Sequence, residues 1–182
     1  MAKAKKMKVG DWLYHPIHGV VRIQRITNEK RDAETVVRYT LIPQVETSMK
    51  VQYVISAEEV ESSGFHAVIS KKEAQKILDY LKEGELAETP RALDFSQKIP
   101  LVEQNEPWTL VKILLCCVCA QPDARERRTR QELERAAKGL VQELAFVFKT
   151  TTEETILMVR EAIETKQEIN PVVEHALVQI AG

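Results

Sequence analysis

Lys8-Val9-Gly10-Asp11-Trp12-Leu13-Tyr14-His15-Pro16-Ile17-His18-Gly19-Val20-Val21-Arg22-Ile23 writes a strand, a tight polar corner and a second strand in one short run. Gly10-Asp11 and Pro16 to Gly19 carry turn chemistry, because proline locks φ while glycine admits positive values. Val9, Leu13, Val21 and Ile23 alternate on one face, so the run reads as the opening of a small β-barrel. β-Branched residues gather again at Val20 to Ile26, Thr35 to Ile42 and Met49 to Ile55, which predicts further strands. Asn28-Glu29-Lys30-Arg31-Asp32 is expected as a charged hairpin loop, with Pro43 to Ser48 as the next connection.

After residue 70 the period changes from two to about 3.6. Ser70-Lys71-Lys72-Glu73 has the form of a capping box, followed by Ala74, Ile77, Leu78 and Leu81 at helical spacing, with Gly84 placed to end the helix. Glu85 to Asn105 holds Pro90 and Pro100 without a clean period and reads as an interdomain segment. Pro107 suits a first helical position ahead of Trp108, Val111, Leu114, Leu115 and Val118, and Gln121-Pro122-Asp123 ends that helix. Thr129-Arg130-Gln131-Glu132 and Thr151-Thr152-Glu153-Glu154 offer two more capping boxes, and Asn170-Pro171 caps a last short helix. Amphipathic helices joined by short links bury their apolar faces against one another, so this half is expected to be a bundle. The expected class is α+β, a small N-terminal barrel followed by a C-terminal helical bundle. The expected divisions are 1–69 for the β domain, 70–105 for a helix and linker, and 106–182 for the helical domain.

The chain has 182 residues, 44% of them apolar and 29% charged, ordinary values for a protein that buries a core. Its 26 basic and 27 acidic residues leave a formal net charge of −1, so DNA contact is expected to be local and assisted by a partner. The basic start Met1 to Lys8 lacks an apolar signal core, and no stretch matches a membrane span, so a cytoplasmic location without membrane partners is expected. No Gly-rich phosphate loop, Gly-x-Ser-x-Gly elbow or His-Glu-x-x-His pair occurs, and neither enzymatic activity nor a cofactor is expected. Cys116, Cys117 and Cys119 lie too close on one helix to bind a single ion together, and read as small apolar residues of a buried helix. His15 and His18 flank a proline in a turn, where turn formation and packing are favoured over holding a metal.

The order Val-Gly-Asp at 9–11, Pro-x-His-Gly at 16–19, the runs Tyr39 to Pro43 and Ser48 to Val54, Ser62-Ser63-Gly64-Phe65 and Val68-Ile69-Ser70 forms a connected pattern. Arg130 to Ala145, containing Leu140-Val141-Gln142-Glu143-Leu144, extends it. The pattern resembles the CarD/CdnL bacterial transcription regulators, whose RNA-polymerase-interacting, Tudor-like domain also occurs in the transcription-repair coupling factor. The likeness reaches to about residue 150 and is stronger over the first 82 residues. It departs from the family at Val54, where a proline is usual, at His66, where arginine is common, and at Gln52, where many members carry a basic residue. The tryptophan that relatives wedge into DNA after the linker has no counterpart, Leu93 and Phe95 standing in that region and Trp108 following later.

The resemblance implies a non-enzymatic regulator that docks on the polymerase β subunit through the fourth strand, with Met49, Lys50, Val51, Gln52 and Tyr53 as contact residues. An ordinary internal or solvent-blunted strand is the plainer reading of that segment. It also implies promoter-DNA contact by the helical domain. Arg125, Arg127, Arg128 and Arg130, with Arg135 and Lys138 farther along, are phosphate-contact candidates or a solvated surface. Leu93 and Phe95 are wedge candidates or linker side chains packed on the bundle. A protein-binding adaptor without DNA contact is the alternative function.

Overall fold

The computed structural model describes residues 7–31, 34–44, 51–83, 106–120, 127–165, 169 and 171–180. It is α+β and divides into two units, Met1–Val68 and Ile69–Gly182. The first unit holds β1 (Trp12–His15), β2 (Gly19–Arg31), β3 (Glu34–Pro43), β4 (Tyr53–Ser56), the short α1 (Glu59–Ser62) and β5 (His66–Ala67). The second holds α2 (Lys71–Glu83), α3 (Pro107–Ala120), α4 (Arg127–Phe148), α5 (Thr152–Glu164) and α6 (Pro171–Val178).

The strands form one antiparallel sheet in the order β4-β3-β2-β1-β5. Among the described residues it is open, with β4 and β5 at its edges, whereas the sequence leads one to expect a barrel. The corner between β1 and β2 forms where expected, pairing His15 with Gly19 and Leu13 with Val21. Gly10 and Gly19 have φ of 95° and 66°, and a Cβ at either would meet nothing within 4 Å. Backbone conformation, rather than space, therefore reserves both positions for glycine. Leu13, Val21, Ile23, Tyr39 and Leu41 make the core of this unit with Val60 of α1 and Phe65.

The predicted hairpin loop at Asn28 to Asp32 is largely strand. Asn28, Glu29, Lys30 and Arg31 pair with Val37, Val36, Thr35 and Glu34, leaving only residues 32 and 33 between the strands. Asn28, Glu29 and Lys30 are exposed. The polarity of this stretch thus marks a solvated two-stranded ribbon, which needs no apolar face when its backbone groups pair with each other. A bulge at Gln24 interrupts the ladder between Ile23 and Arg25, where the ribbon leaves the core.

In the second unit, one core gathers the apolar faces read from the sequence: Ala74, Ile77 and Leu81 of α2, Val111 and Leu114 of α3, Leu133, Leu140 and Leu144 of α4, Val159 and Ile163 of α5, and Val173 and Leu177 of α6. The helix over 71–83, which the sequence places with the linker, packs into this core. Its start is fixed twice. The Ser70 Oγ accepts from the Glu73 amide at 3.2 Å, and the fully buried Glu143 carboxylate accepts from the Ile69 amide at 3.0 Å.

Thr151 and Glu154 complete the predicted capping box of α5, the Glu154 amide donating to Thr151 Oγ1 at 3.1 Å and the Thr151 amide to Glu154 Oε2 at 2.9 Å. The predicted box at Thr129 is displaced. The helix begins at Arg127, so Thr129 is its third residue rather than its cap.

Candidate functional site

The face with the clearest binding geometry is the edge strand β4. Thr40 opposes Val54 and Tyr39 opposes Ile55 across its one ladder. In an antiparallel ladder, alternate residues turn both backbone groups toward the partner strand and the residues between turn them away. The Ala57 amide donates to the Val37 carbonyl at 2.8 Å, in the same register, which fixes the phase. Ile55 and Tyr53 therefore bond inward to β3, and the N–H and C=O of Val54 and Ser56 point to the open edge. Tyr53 and Ile55 pack into the core, while the Val54 side chain is 60% exposed.

One end of that edge is blunted. Glu59 Oε2 accepts from the Ser56 amide at 3.3 Å and from Ser56 Oγ at 2.7 Å, and the Glu59 amide donates back to Ser56 Oγ at 3.3 Å. These bonds, the Ser56 hydroxyl first and its amide next, hold the Glu59 carboxyl below its ordinary range, and the charge of Arg38 adds to them. With the Ser56 amide taken, Val54 is the β4 residue whose outward N–H and C=O both lack a partner among the described residues. A short, charge-flanked edge of this kind resists indiscriminate pairing but leaves room for one added strand.

The corner beside it is built around His15, which is 7% exposed. Its Nδ1 accepts from the Ile17 amide at 3.1 Å and the His18 amide at 3.3 Å, while Nε2 lies 3.0 Å from the Ser63 carbonyl. Only the neutral tautomer with its proton on Nε2 satisfies all three partners. The His15 ring lies 4.5 Å from those of His18 and Phe65, and His18 lies 4.1 Å from the Tyr53 ring at the start of β4. Burial lowers the His15 pKa below the ordinary imidazole value; the charge of His18 acts the same way, the Ser63 bond opposes, and His66 adds a smaller lowering. Burial also lowers that of His18. The reading of this pair as turn-forming and packing residues agrees with these contacts. Among the described residues no group of three or more metal-ligating side chains occurs.

Of the residues expected at the docking strand, Tyr53 opens β4, Val51 and Gln52 precede it, and Met49 and Lys50 lie outside the described residues. Gln52 Nε2 donates to Gln24 Oε1 at the bulge, at 3.3 Å. The strand begins several residues later than the sequence reading places it. Its most exposed position, Val54, lies at the far end of the predicted run and was not among the predicted contacts. The signal that could have located its boundary was Ser56-Ala57-Glu58-Glu59, a Ser-x-x-Glu box that stops a strand and starts a helical turn.

For DNA contact, Arg127 and Arg128 lie in the first turn of α4, while Arg125, Leu93 and Phe95 lie outside the described residues. Arg130 is exposed and pairs through Nε with Glu134 at 3.0 Å. Arg135 is turned to another side, where Glu132 holds it at 2.7 Å. Arg130, Glu134 and Lys138 lie at successive i, i+4 steps along α4 and face His175 and Gln179 of the α6 segment across a groove of 430 Å³. Helical spacing could have grouped each set; that the two sets face each other is a tertiary fact. Cys117 is buried in the core. No helix among the described residues is long and apolar enough to cross a membrane. No family model and no curated protein matches the chain.

Proposed function

We propose that this chain is a non-enzymatic transcription regulator of the CarD/CdnL kind. Its Tudor-like N-terminal unit adds the β4 edge to a strand of the RNA polymerase β subunit, and its helical unit meets promoter DNA. The open Val54 edge carries this reading. It supplies unpaired backbone groups in line, beside an exposed apolar side chain, on a strand whose other edge is secured to β3. The meander order, in which β5 returns to pair with β1, also fits a sheet curling toward a small barrel. Working in the cytoplasm on polymerase–promoter complexes, such a factor shifts the closed-to-open equilibrium by its differential affinity for the two states.

A second reading, a polymerase- or protein-binding adaptor without DNA contact, is favoured by the near-neutral charge and by the pairing of Arg130 and Arg135 with Glu134 and Glu132.

The test uses Val54→Pro. The Val54 amide points outward, so proline deletes the edge donor without removing a ladder bond, which edge strands tolerate. Ile55→Pro removes an inward donor and serves as the fold-breaking contrast. Core polymerase is expected to bind Val54→Pro about fivefold or more weakly than the wild-type chain, with the emission of Trp12 unchanged by the Val54 substitution. Full affinity in a folded Val54→Pro chain would remove strand addition from the proposal. Polymerase binding without any change in open-complex lifetime would select the adaptor.

A further inference from the structure

The groove between α4 and α6 is lined mostly by side chains that donate hydrogen bonds. Arg130, Lys138, His175 and Gln179 bring four side chains able to donate hydrogen bonds to its walls, against the single carboxylate of Glu134. Glu134 accepts from Arg130 Nε, which leaves the two terminal guanidinium nitrogens without a partner among the described residues. Lys138 is exposed and forms no ion pair among the described residues, although the opposite arginine, Arg135, is secured by Glu132. With histidine neutral, the lining carries one net positive charge on a chain whose formal charge is −1.

Ala176 and Ile180 are the apolar part of the lining. Leu133, Ala137 and Leu140 of α4 and Val173 and Leu177 of α6 are buried in the core on the same two helices. The two walls are therefore set by core packing rather than by the polar side chains themselves. Arg160 adds a tie to the α6 wall, meeting Glu174 at 3.1 Å beside His175. The carbonyl end of α6 acts against an anion, but amides of Gln179 and Ile180 already bond to the carbonyls of His175 and Leu177, which reduces its field.

We infer that this groove seats a backbone phosphate of nucleic acid, with Arg130 and Lys138 supplying charge and His175 and Gln179 supplying donors from the opposite wall. An open trough of 430 Å³ suits a phosphodiester that passes along it better than a small anion enclosed on all sides. The inference deepens the proposed DNA contact and rests on it, moving that contact along α4 from its first turn to the Arg130–Lys138 face. It also gives the segment after Thr150 a role, since α6 forms one wall.

The test titrates the full chain with a mixed-sequence DNA duplex and, separately, with inorganic phosphate. Chemical shifts of the His175 ring report the groove, and anisotropy at several salt concentrations reports affinity. The Lys138→Gln, His175→Gln pair is expected to weaken duplex binding about tenfold and to lower the salt slope by about one. Both side chains are exposed, so thermal stability should not change. Duplex binding is expected to move the His175 signals, and inorganic phosphate at equal concentration to leave them in place.

Equal affinity and slope in the double variant would overturn the groove. If Arg127→Gln, Arg128→Gln weakens duplex binding while the groove pair does not, the groove falls and DNA contact stands. No duplex binding by the wild-type chain, alone or on polymerase–promoter complexes, would overturn both. Shifts produced by inorganic phosphate with none from the duplex would assign the groove to a free anion and remove nucleic acid from it.

Discussion

Replacing His15 tests the corner that supports the candidate docking strand. His15→Ala removes two arms at once: the Nδ1 acceptor shared by the Ile17 and His18 amides, and the Nε2 bond to the Ser63 carbonyl. Each arm contributes about 1 kcal/mol net, and loss of the ring contacts to Phe65 and His18 adds about 1 kcal/mol, for an expected cost of ~3 kcal/mol. Conservative variants separate the arms. Asparagine places an oxygen where Nδ1 stands and keeps the turn bonds, whereas glutamine can reach Ser63 but not satisfy the turn, so each should cost about half as much. The chain has two tryptophans, Trp12 in the sheet unit and Trp108 in the helical unit, so urea unfolding followed by Trp12 emission in a Trp108→Phe background isolates the relevant transition.

Acid should reproduce the effect. An unfolded imidazole protonates near pH 6.5, and burial holds His15 and His18 below that value in the folded chain. The unfolded chain therefore takes up protons first as pH falls. The contribution is complete above about 6.5 and is lost as pH falls from there through the folded-state values. His15→Asn should flatten the part of this slope that belongs to His15. A cost under about 0.5 kcal/mol for His15→Ala, or a slope of opposite sign between pH 7 and 5, would refute the pinned-tautomer account.

Two other outcomes follow from the helical unit. Thr151→Ala should lower the stability reported by Trp108 by about 1 kcal/mol, and Thr151→Asp should recover most of it, because the cap needs an oxygen facing the Glu154 amide. Cys117 is a core side chain, so purified protein should carry no stoichiometric zinc and keep its far-ultraviolet dichroism after chelation. One zinc per chain with unfolding on chelation would contradict that assignment.

Much of the fold was legible because burial imposes periods. The spacing of Leu133, Ala137, Leu140 and Leu144 states a helix face without reference to what it packs on, and those residues are buried. The turn at Pro16 to Gly19 was legible because its residues carry local conformational preferences. Asn28 to Arg31 was not, because a ribbon bonded to itself needs no apolar residues to be a strand. The candidate site was less legible still. Which of Tyr53 and Val54 turns its amide outward depends on the pairing phase with β3, and a one-residue slip reverses the answer. The α4–α6 groove likewise joins residues separated by the whole of α5.

The shortness of the open edge has a kinetic consequence. Between the blunted Ser56 and the start of β4 at Tyr53, only Val54 offers an outward strand donor and acceptor. A partner strand laid there gains one or two backbone bonds, worth about 1 kcal/mol each, too little to hold a complex alone. Those bonds set the direction and register of approach, while lifetime is left to the side chains around them. In the proposed docking, loss of one such bond therefore shortens the lifetime of the complex only severalfold, and the side-chain contacts decide the rest.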